Sequence, residues 1–396
     1  MPRSLSNVRL ALVHDWLTGL RGGEKCLDVL CQRFPSAALL TLLHRRGSTT
    51  PAIERMNIKS SWLNRVPAIE RHYRWWLPLM PLAVESLPIP ANTELVVSFS
   101  HAVAKGVIAP RGVPHVSYCF TPMRYAWDLR DDYFGPSRRR WSPLAAARNA
   151  ALDRIRDWDR AAAERVTHFV AISQTIADRI ERCYGRSSTI IFPPVDTDYY
   201  TPDDTVARGD DYLIVSALVP YKRIDLAIAA CSQTNRRLTI IGAGPERARL
   251  EKLAGPTVRF LGWQSDEVIR DHLQSCRALV FPGHEDFGIV PVEAQACGAP
   301  VIALARGGAT ETVLPADDST TGTGVFFDTP SIDALVASME WLESRPERLD
   351  PDLARRQAER FAASRYEQQM LDFLANVVEG RSVEEATVAT SQPLAV

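Results

Sequence analysis

Glu285 and Glu293 stand eight positions apart around Asp286-Phe287-Gly288-Ile289-Val290-Pro291-Val292. Two carboxylates accept hydrogen bonds from paired hydroxyls, as a sugar ring or a ribose presents them, whereas both would repel a phosphate alone. Cations stand elsewhere in the chain. Lys222 and Arg223 are adjacent at the end of Ser216-Ala217-Leu218-Val219-Pro220-Tyr221-Lys222-Arg223, and such a pair fits a diphosphate, whose charge it neutralises. Glycines mark two further stretches, Gly22-Gly23 and Gly242-Ala243-Gly244-Pro245, where a backbone can approach a ligand closely before a helix begins. Each feature also has a plainer reading: a helix-start glutamate with a solvated loop glutamate, a solvated basic pair, a tight turn. The Gly242–Gly244 stretch is half of a dinucleotide fingerprint, with Arg247 at its third glycine position.

Strand-to-helix loops must hold these residues. Ala278 to Phe281 reads as a buried strand ended by Pro282-Gly283, and Pro291 opens a helix that closes near Gly298. Glu285 then lies in the loop and Glu293 in the first turns of the helix, beside unpaired N–H groups and the positive end of the dipole. Short apolar runs recur between helical stretches in the first half: Leu10 to Val13, Ala38 to Leu42, Leu95 to Ser98, Val116 to Cys119 and His168 to Ile172. The second half continues with Tyr212 to Val215, Leu238 to Ile241, Val258 to Leu261, Ala278 to Phe281, Val301 to Leu304 and Val325 to Phe327. Alternation of this kind predicts an α/β chain with doubly wound parallel sheets, which bind ligands beyond the carboxyl ends of their strands. One such loop runs from His14 to Lys25, after Val13. Thr329-Pro330 reads as the cap of a helix over Ser331 to Glu343.

At 396 residues the chain exceeds the ~250–300 at which a single core stops growing, so two domains are expected. The proline- and acid-rich run from Phe192 to Asp204 reads as the linker, giving domains 1–204 and 205–378 and a disordered tail, 379–396. A net charge of −1 gives no global signal for nucleic acid. Seven scattered cysteines without a C-x-x-C pair suit reduced thiols in the cytoplasm and argue against a zinc site. The N-terminus reads as a strand start and not as a signal peptide, and no apolar run approaches the ~20 residues a spanning helix needs.

Taken in order, Gly22-Gly23, Ser216 to Arg223, Gly242 to Pro245, Glu285 to Glu293 and Gly307-Gly308-Ala309-Thr310-Glu311 closely resemble the retaining glycosyltransferases of family 4, of GT-B fold. The stretches His14 to Gly19, Thr121 to Asp128 and Glu285 to Glu293 are similar to the bacterial, mannosyltransferase-like branch of surface polysaccharide assembly. The resemblance implies two Rossmann-like domains facing across a cleft, a nucleotide-sugar donor and closure around it. It also implies that Lys222, helped by Arg223, holds the donor diphosphate, and that Glu293 takes the ribose hydroxyls. Glu285 and the backbone of Asp286, Phe287, Gly288 and Ile289 would hold the transferred sugar, with Gly242 and Gly244 in the nucleotide loops and Gly22 and Gly23 at the diphosphate. Two positions depart from the pattern. Ala217 stands where the family has arginine, and Phe120 where the branch has a histidine near the sugar; His101 is the nearest substitute for the latter.

The family's front-face route needs no dedicated base and no obligatory metal or cofactor, and Asp196-Thr197-Asp198 is read as a chance likeness to a metal motif. Branch resemblance favours GDP-mannose, with UDP-linked hexoses open, and a glycan or polyprenyl-diphosphate-linked glycan as acceptor. Arg65, Arg71, Arg74, Trp75 and Trp76, and the stretch Arg138-Arg139-Arg140-Trp141 continuing through Arg148, Arg154, Arg156 and Arg160, suit an anionic membrane surface. The protein is therefore expected in the cytoplasm, peripheral on the inner face of the cell membrane. An epimerase or phosphorylase of the same fold, an NAD-dependent oxidoreductase and a non-catalytic glycan-binding protein are the rivals.

Overall fold

The computed structural model describes residues 5–69, 73–124, 126–127 and 143–381. The chain forms two compact units, Met1–Pro193 with Tyr366–Val396, and Pro194–Arg365. These bounds differ from the expected 1–204 and 205–378. The presumed linker is docked on the second unit: Val195 donates to the Phe361 carbonyl at 2.9 Å, and the Arg355 guanidinium donates to the carbonyls of Thr197 and Tyr200 at 2.7 and 2.8 Å. Proline and acid there meet fixed donors, so a linker-like composition becomes part of a wall. The last helix leaves the second unit because its buried stripe, Tyr366, Met370, Phe373, Leu374 and Val377, belongs to the first. The Tyr366 hydroxyl donates to the Cys26 carbonyl at 3.2 Å, and its ring stands edge-on to Tyr118 at 5.6 Å.

In the first unit the strands are β1 (Leu10–Leu17), β2 (Ala38–His44), β3 (Asn57–Ser60), β4 (Leu95–Ser100), β5 (His115–Cys119), β6 (His168–Ala171) and β7 (Ser188–Ile190). They pair in parallel in the order β3-β2-β1-β4-β5-β6-β7. Its helices are α1 (Gly22–Arg33), α2 (Pro51–Glu54), α3 (Met80–Glu85), α4 (Pro143–Glu164) and α5 (Gln174–Tyr184). Strand β1 runs four residues beyond Val13, so His14 to Leu17 are strand and not loop. Every residue of β1 is buried, and its two polar side chains find partners inside.

In the second unit β8 (Tyr212–Val215), β9 (Leu238–Ile241), β10 (Val258–Gly262), β11 (Ala278–Phe281), β12 (Val301–Leu304) and β13 (Gly324–Phe327) form a parallel sheet in the order β10-β9-β8-β11-β12-β13. Helices α6 (Ile224–Gln233), α7 (Arg247–Leu253), α8 (Asp266–Ser275), α9 (Ile289–Ala296), α10 (Ala309–Thr312), α11 (Ile332–Ser344) and α12 (Pro351–Glu359) flank it, and α13 (Ala363–Val378) closes the described chain. Helix α11 is capped by Ser331, whose hydroxyl accepts the Ala334 N–H at 3.2 Å, and not by Thr329. A serine three residues before a free N–H satisfies it directly, which Thr329 is too distant to do.

Each sheet has one point where strand order reverses. In the first unit it lies between β1 and β4, in the second between β8 and β11. At such a point the adjacent crossovers leave to opposite faces and open a crevice at the carboxyl ends. The chemistry-bearing residues collect at both.

Candidate functional site

At the crevice of the second unit, Lys222 comes from the loop after β8 and Glu285 from the loop after β11, and the two side chains form an ion pair. Both are mostly shielded, with 14% and 20% of their side-chain surfaces exposed, so Glu285 is not a solvated loop residue. Lys222 ends a short 3-10 turn, Pro220–Lys222, and Gly283 lies directly against its backbone: an added Cβ would stand 2.8 Å from the Lys222 Cα. Glycine at 283 therefore lets the two loops touch. Arg223 takes the left-handed conformation, φ +50°, and pairs with Asp225 at 3.3 Å while remaining partly exposed. The adjacent cations of the sequence thus point to different partners.

Neighbouring loops are stitched to these two. Leu218 donates to the Ala243 carbonyl at 3.0 Å and Glu246 to the Leu218 carbonyl at 3.1 Å, which lays Gly242 and Gly244 on the backbone of 216–218. A side chain at either glycine would overlap the Ser216 or Leu218 carbonyl. On the other side Gly308 donates to the Glu285 carbonyl at 2.9 Å. Asp286 and Phe287 are buried, Gly288 begins α9 with φ +86°, and Ile289 is its first residue. Glu293 lies in the second turn of α9 with 5% exposure, which makes it an interior carboxylate at a helix start. Lys222, Glu285, Asp286 and the Gly242–Gly244 loop are therefore joined by contacts at the carboxyl ends of adjacent strands.

The first unit builds its crevice from other residues. Asp15, near the end of β1, is fully buried and accepts four backbone N–H groups: His101 at 2.7 Å, Ala102 at 2.9 Å, Val103 at 2.7 Å and Ala104 at 2.7 Å. The His101 Nδ1 lies 3.0 Å from the same carboxylate. Burial opposes the Asp15 charge, but the His101 ring and the hydrogen bonds outweigh it and hold the carboxyl below the usual carboxylate range. His14 is also buried, which pushes its imidazole below the ordinary histidine value. Its Nδ1 bonds the Trp16 carbonyl at 3.1 Å, and its Nε2 has no partner. Gly22 and Gly23 are the first residues of α1, and an added Cβ at Gly23 would stand 3.2 Å from the Phe120 ring and 3.4 Å from the His14 Nε2. Phe120, His14 and His101 have ring centroids within 6.4 Å of one another. The structure thus brings Gly22, Gly23 and His101 together and adds Asp15 and His14, which sequence reasoning left in a loop. The available signal was a polar pair, His14-Asp15, continuing an apolar strand toward a glycine-led helix.

The basic-aromatic patch is only partly described. Arg71, the side chains of Arg74 and Trp75, and Arg138-Arg139-Arg140-Trp141 lie outside the described residues, as do Tyr125 and Asp128. Trp76 corrects the expectation of clustered exposed tryptophan, because it is half-buried and packs on the core of the first unit. Trp62, Leu79 and Leu82 are the exposed apolar residues nearby in the chain, at 41%, 37% and 60%. Among the described residues no helix is long and apolar enough to cross a membrane, and no group of three His, Cys, Asp or Glu side chains is placed to hold a metal ion.

Residues 206–360, which lie within the second unit, match the family model described as glycosyl transferases group 1. The chain is 34% identical over 238 residues to a GDP-mannose-dependent alpha-(1-6)-phosphatidylinositol monomannoside mannosyltransferase of Mycolicibacterium smegmatis, covering 52% of this chain and 59% of the relative. It is 32% identical over 222 residues to a D-inositol 3-phosphate glycosyltransferase of Geodermatophilus obscurus, covering 46% of this chain and 49% of the relative. The chain thus spans about half the length of the curated relatives it matches. Among solved structures, Anabaena Alr3699/HepE in complex with UDP-glucose aligns with a TM-score of 0.68 at 18% identity, over 93% of this chain and 99% of that one. That likeness fixes the fold as GT-B, with two parallel-sheet, Rossmann-like units.

Proposed function

We propose that the protein is a retaining hexosyltransferase that moves mannose from GDP-mannose to a lipid-linked or polysaccharide acceptor. The observation that carries this reading is the Lys222–Glu285 pair at the reversal point of the unit that matches the group 1 family. A cation and a carboxylate side by side serve the two halves of a nucleotide sugar, one taking a phosphate oxygen and the other a sugar hydroxyl. In this reading Lys222, with Arg223 after it leaves Asp225, holds the diphosphate, and Glu293 takes the ribose hydroxyls. Glu285 and the backbone from Asp286 to Ile289 hold the sugar, Gly242 and Gly244 admit the nucleotide, and Gly22 and Gly23 offer N–H groups to phosphate.

By the front-face route the acceptor oxygen bonds to the anomeric carbon on the face that the diphosphate leaves. The acceptor proton passes to the departing phosphate oxygen, so configuration is retained without a protein nucleophile. The GDP-mannose named for the Mycolicibacterium relative supports this donor over UDP-glucose, which is named for the Anabaena structure. Exposed Trp62, Leu79 and Leu82 with exposed Arg65 support a peripheral seat on an anionic membrane at the cytoplasmic face, next to a polyprenyl-diphosphate-linked acceptor. The test is a thermal-shift panel of GDP-, UDP-, ADP- and dTDP-sugars, followed by transfer to a polyprenyl-diphosphate glycan and NMR of the new anomeric centre. GDP-mannose is expected to give the largest shift and an α-linked product. An inverted product, or turnover of nucleotide sugar to an epimer without acceptor, overturns the reading.

A further inference from the structure

Asp15 receives more donors than a strand end requires. Its two carboxylate oxygens take four backbone N–H groups, and the His101 Nδ1 lies 3.0 Å from Oδ2. A buried, ionised carboxylate has no hydrogen to give, so the ring nitrogen facing it must carry the proton. That fixes the His101 tautomer and leaves its Nε2 with a lone pair. Trp16 stands edge-on to the ring at a centroid distance of 4.4 Å, and 29% of the His101 side chain is exposed. The ring is therefore held in place on one side and open on the other. His14 shows the same arrangement next door, with Nδ1–H toward the Trp16 carbonyl and a bare, buried Nε2 beside Gly23. Phe120, between them and Gly23, contributes no hydrogen bond to a substrate.

We infer that Asp15 and His101 form a dyad in which Asp15 is a positioning residue and the His101 Nε2 accepts a hydrogen bond from a substrate hydroxyl at the first unit's crevice. This deepens the glycosyltransferase reading and rests on it for the identity of the substrate. The dyad supplies the polar contact that Phe120 does not make. The hydroxyl belongs either to the donor sugar or to the acceptor, and the two differ in which KM responds.

The test combines tautomer and kinetics. In the full-length protein, nitrogen-15 NMR of the histidines, assigned with His101→Gln, is expected to show His101 protonated on Nδ1. Asp15→Asn offers an amide N–H to that nitrogen and moves the proton to Nε2. With GDP-mannose and acceptor, His101→Ala is expected to lower kcat/KM by about tenfold, as loss of one hydrogen bond does. His101→Gln, whose carbonyl is an acceptor, recovers part of that loss, and the KM that rises names the substrate carrying the hydroxyl. Both His101 variants leave the backbone bonds to Asp15 in place, so they separate the dyad from folding. A wild-type ring protonated on Nε2, or His101→Ala within twofold of wild type, overturns the inference. The tautomer is read without substrate, so failure of GDP-mannose transfer counts against the proposed activity and leaves the dyad decided by NMR.

Discussion

The two reversal points share a topology and differ in chemistry. At the second unit's crevice two oppositely charged side chains from adjacent strand ends neutralise each other and stay partly open to solvent. At the first unit's crevice a carboxylate is fully buried, its charge answered by backbone N–H groups and an imidazole. A side-chain pair opens when a phosphate or hydroxyl competes for it, because each partner then exchanges one polar contact for another. A carboxylate tied to four N–H groups cannot exchange them without unfolding the loop that carries them. The second crevice is therefore suited to releasing and rebinding a charged ligand, and the first to holding a neutral group in one orientation.

The same contrast extends below the crevices and gives the largest expected effect. The first unit contains an ion pair, Lys105 with Asp159, at 1% and 0% side-chain exposure, and Asp159 also accepts the Trp127 indole at 2.9 Å and the Tyr184 hydroxyl at 2.7 Å. Lys105→Ala strands a buried carboxylate and is expected to cost about 3–5 kcal/mol in chemical denaturation. Arg237 pairs with Asp211 in the second unit at 60% and 37% exposure, and Arg237→Ala should cost no more than about 1 kcal/mol. Equal losses from the two substitutions would erase the distinction between a buried ion pair in one unit and an exposed one in the other.

Next in size is Lys222→Ala. Loss of a positioned donor at a developing charge costs about 2.7–4 kcal/mol of barrier, so turnover of the nucleotide sugar should fall by about 100–1,000-fold. Arg223→Ala should cost less, since its side chain is partly exposed and already paired with Asp225. Rates are to be read beside circular dichroism and a melting curve. A well-folded Lys222→Ala enzyme with near-normal turnover would remove the second crevice from the chemistry.

How much of this was legible depended on where each residue's partner lies in the chain. Tyr212–Val215, Leu238–Ile241, Ala278–Phe281 and Val301–Leu304 coincide with the apolar runs, because strands buried on both faces are written as continuous hydrophobic stretches. Edge strands Asn57–Ser60 and Ser188–Ile190 escaped notice, being short and largely polar with one neighbour each. At the second crevice, Lys222 and Glu285 were nominated from local spacing and the structure brings them together, although their pairing spans 63 positions that no local pattern encodes. Asp15 was missed because its partners, residues 101–104, are more than 80 positions away. Without them a buried aspartate in a strand is prohibitively costly, so the sequence alone argued for a loop. The docked segment 194–204 and the returning C-terminal helix failed for the same reason: composition describes a segment's solvent preference and not the distant surface that replaces solvent.

A smaller effect than that of Lys222→Ala concerns acid. His14, His115 and His168 lie in the first unit, and burial lowers the proton affinity of each. His115 is the clearest case: burial, then the nearby Arg165 charge, push it down to about 3. Its Nε2 bonds the Ser98 hydroxyl at 2.8 Å while its Nδ1 has no partner. A base whose folded value lies below its unfolded value of about 6.5 stays neutral in the native state while the unfolded chain takes up a proton. Stability from this group is whole above about pH 6.5 and falls by about 1.4 kcal/mol for each unit of pH below it, until the native ring also protonates near 3. Between pH 6.5 and 5 the expected loss from His115 alone is about 2 kcal/mol. His115→Gln keeps a polar side chain beside Ser98 without titrating, so its urea-unfolding free energy should decline by about 2 kcal/mol less over that interval. The comparison is between slopes, and any constant cost of the substitution cancels. Parallel pH slopes in wild type and His115→Gln would mean that the native state accepts a proton at 115 as readily as the unfolded chain, and the burial of His115 would then have to be redrawn.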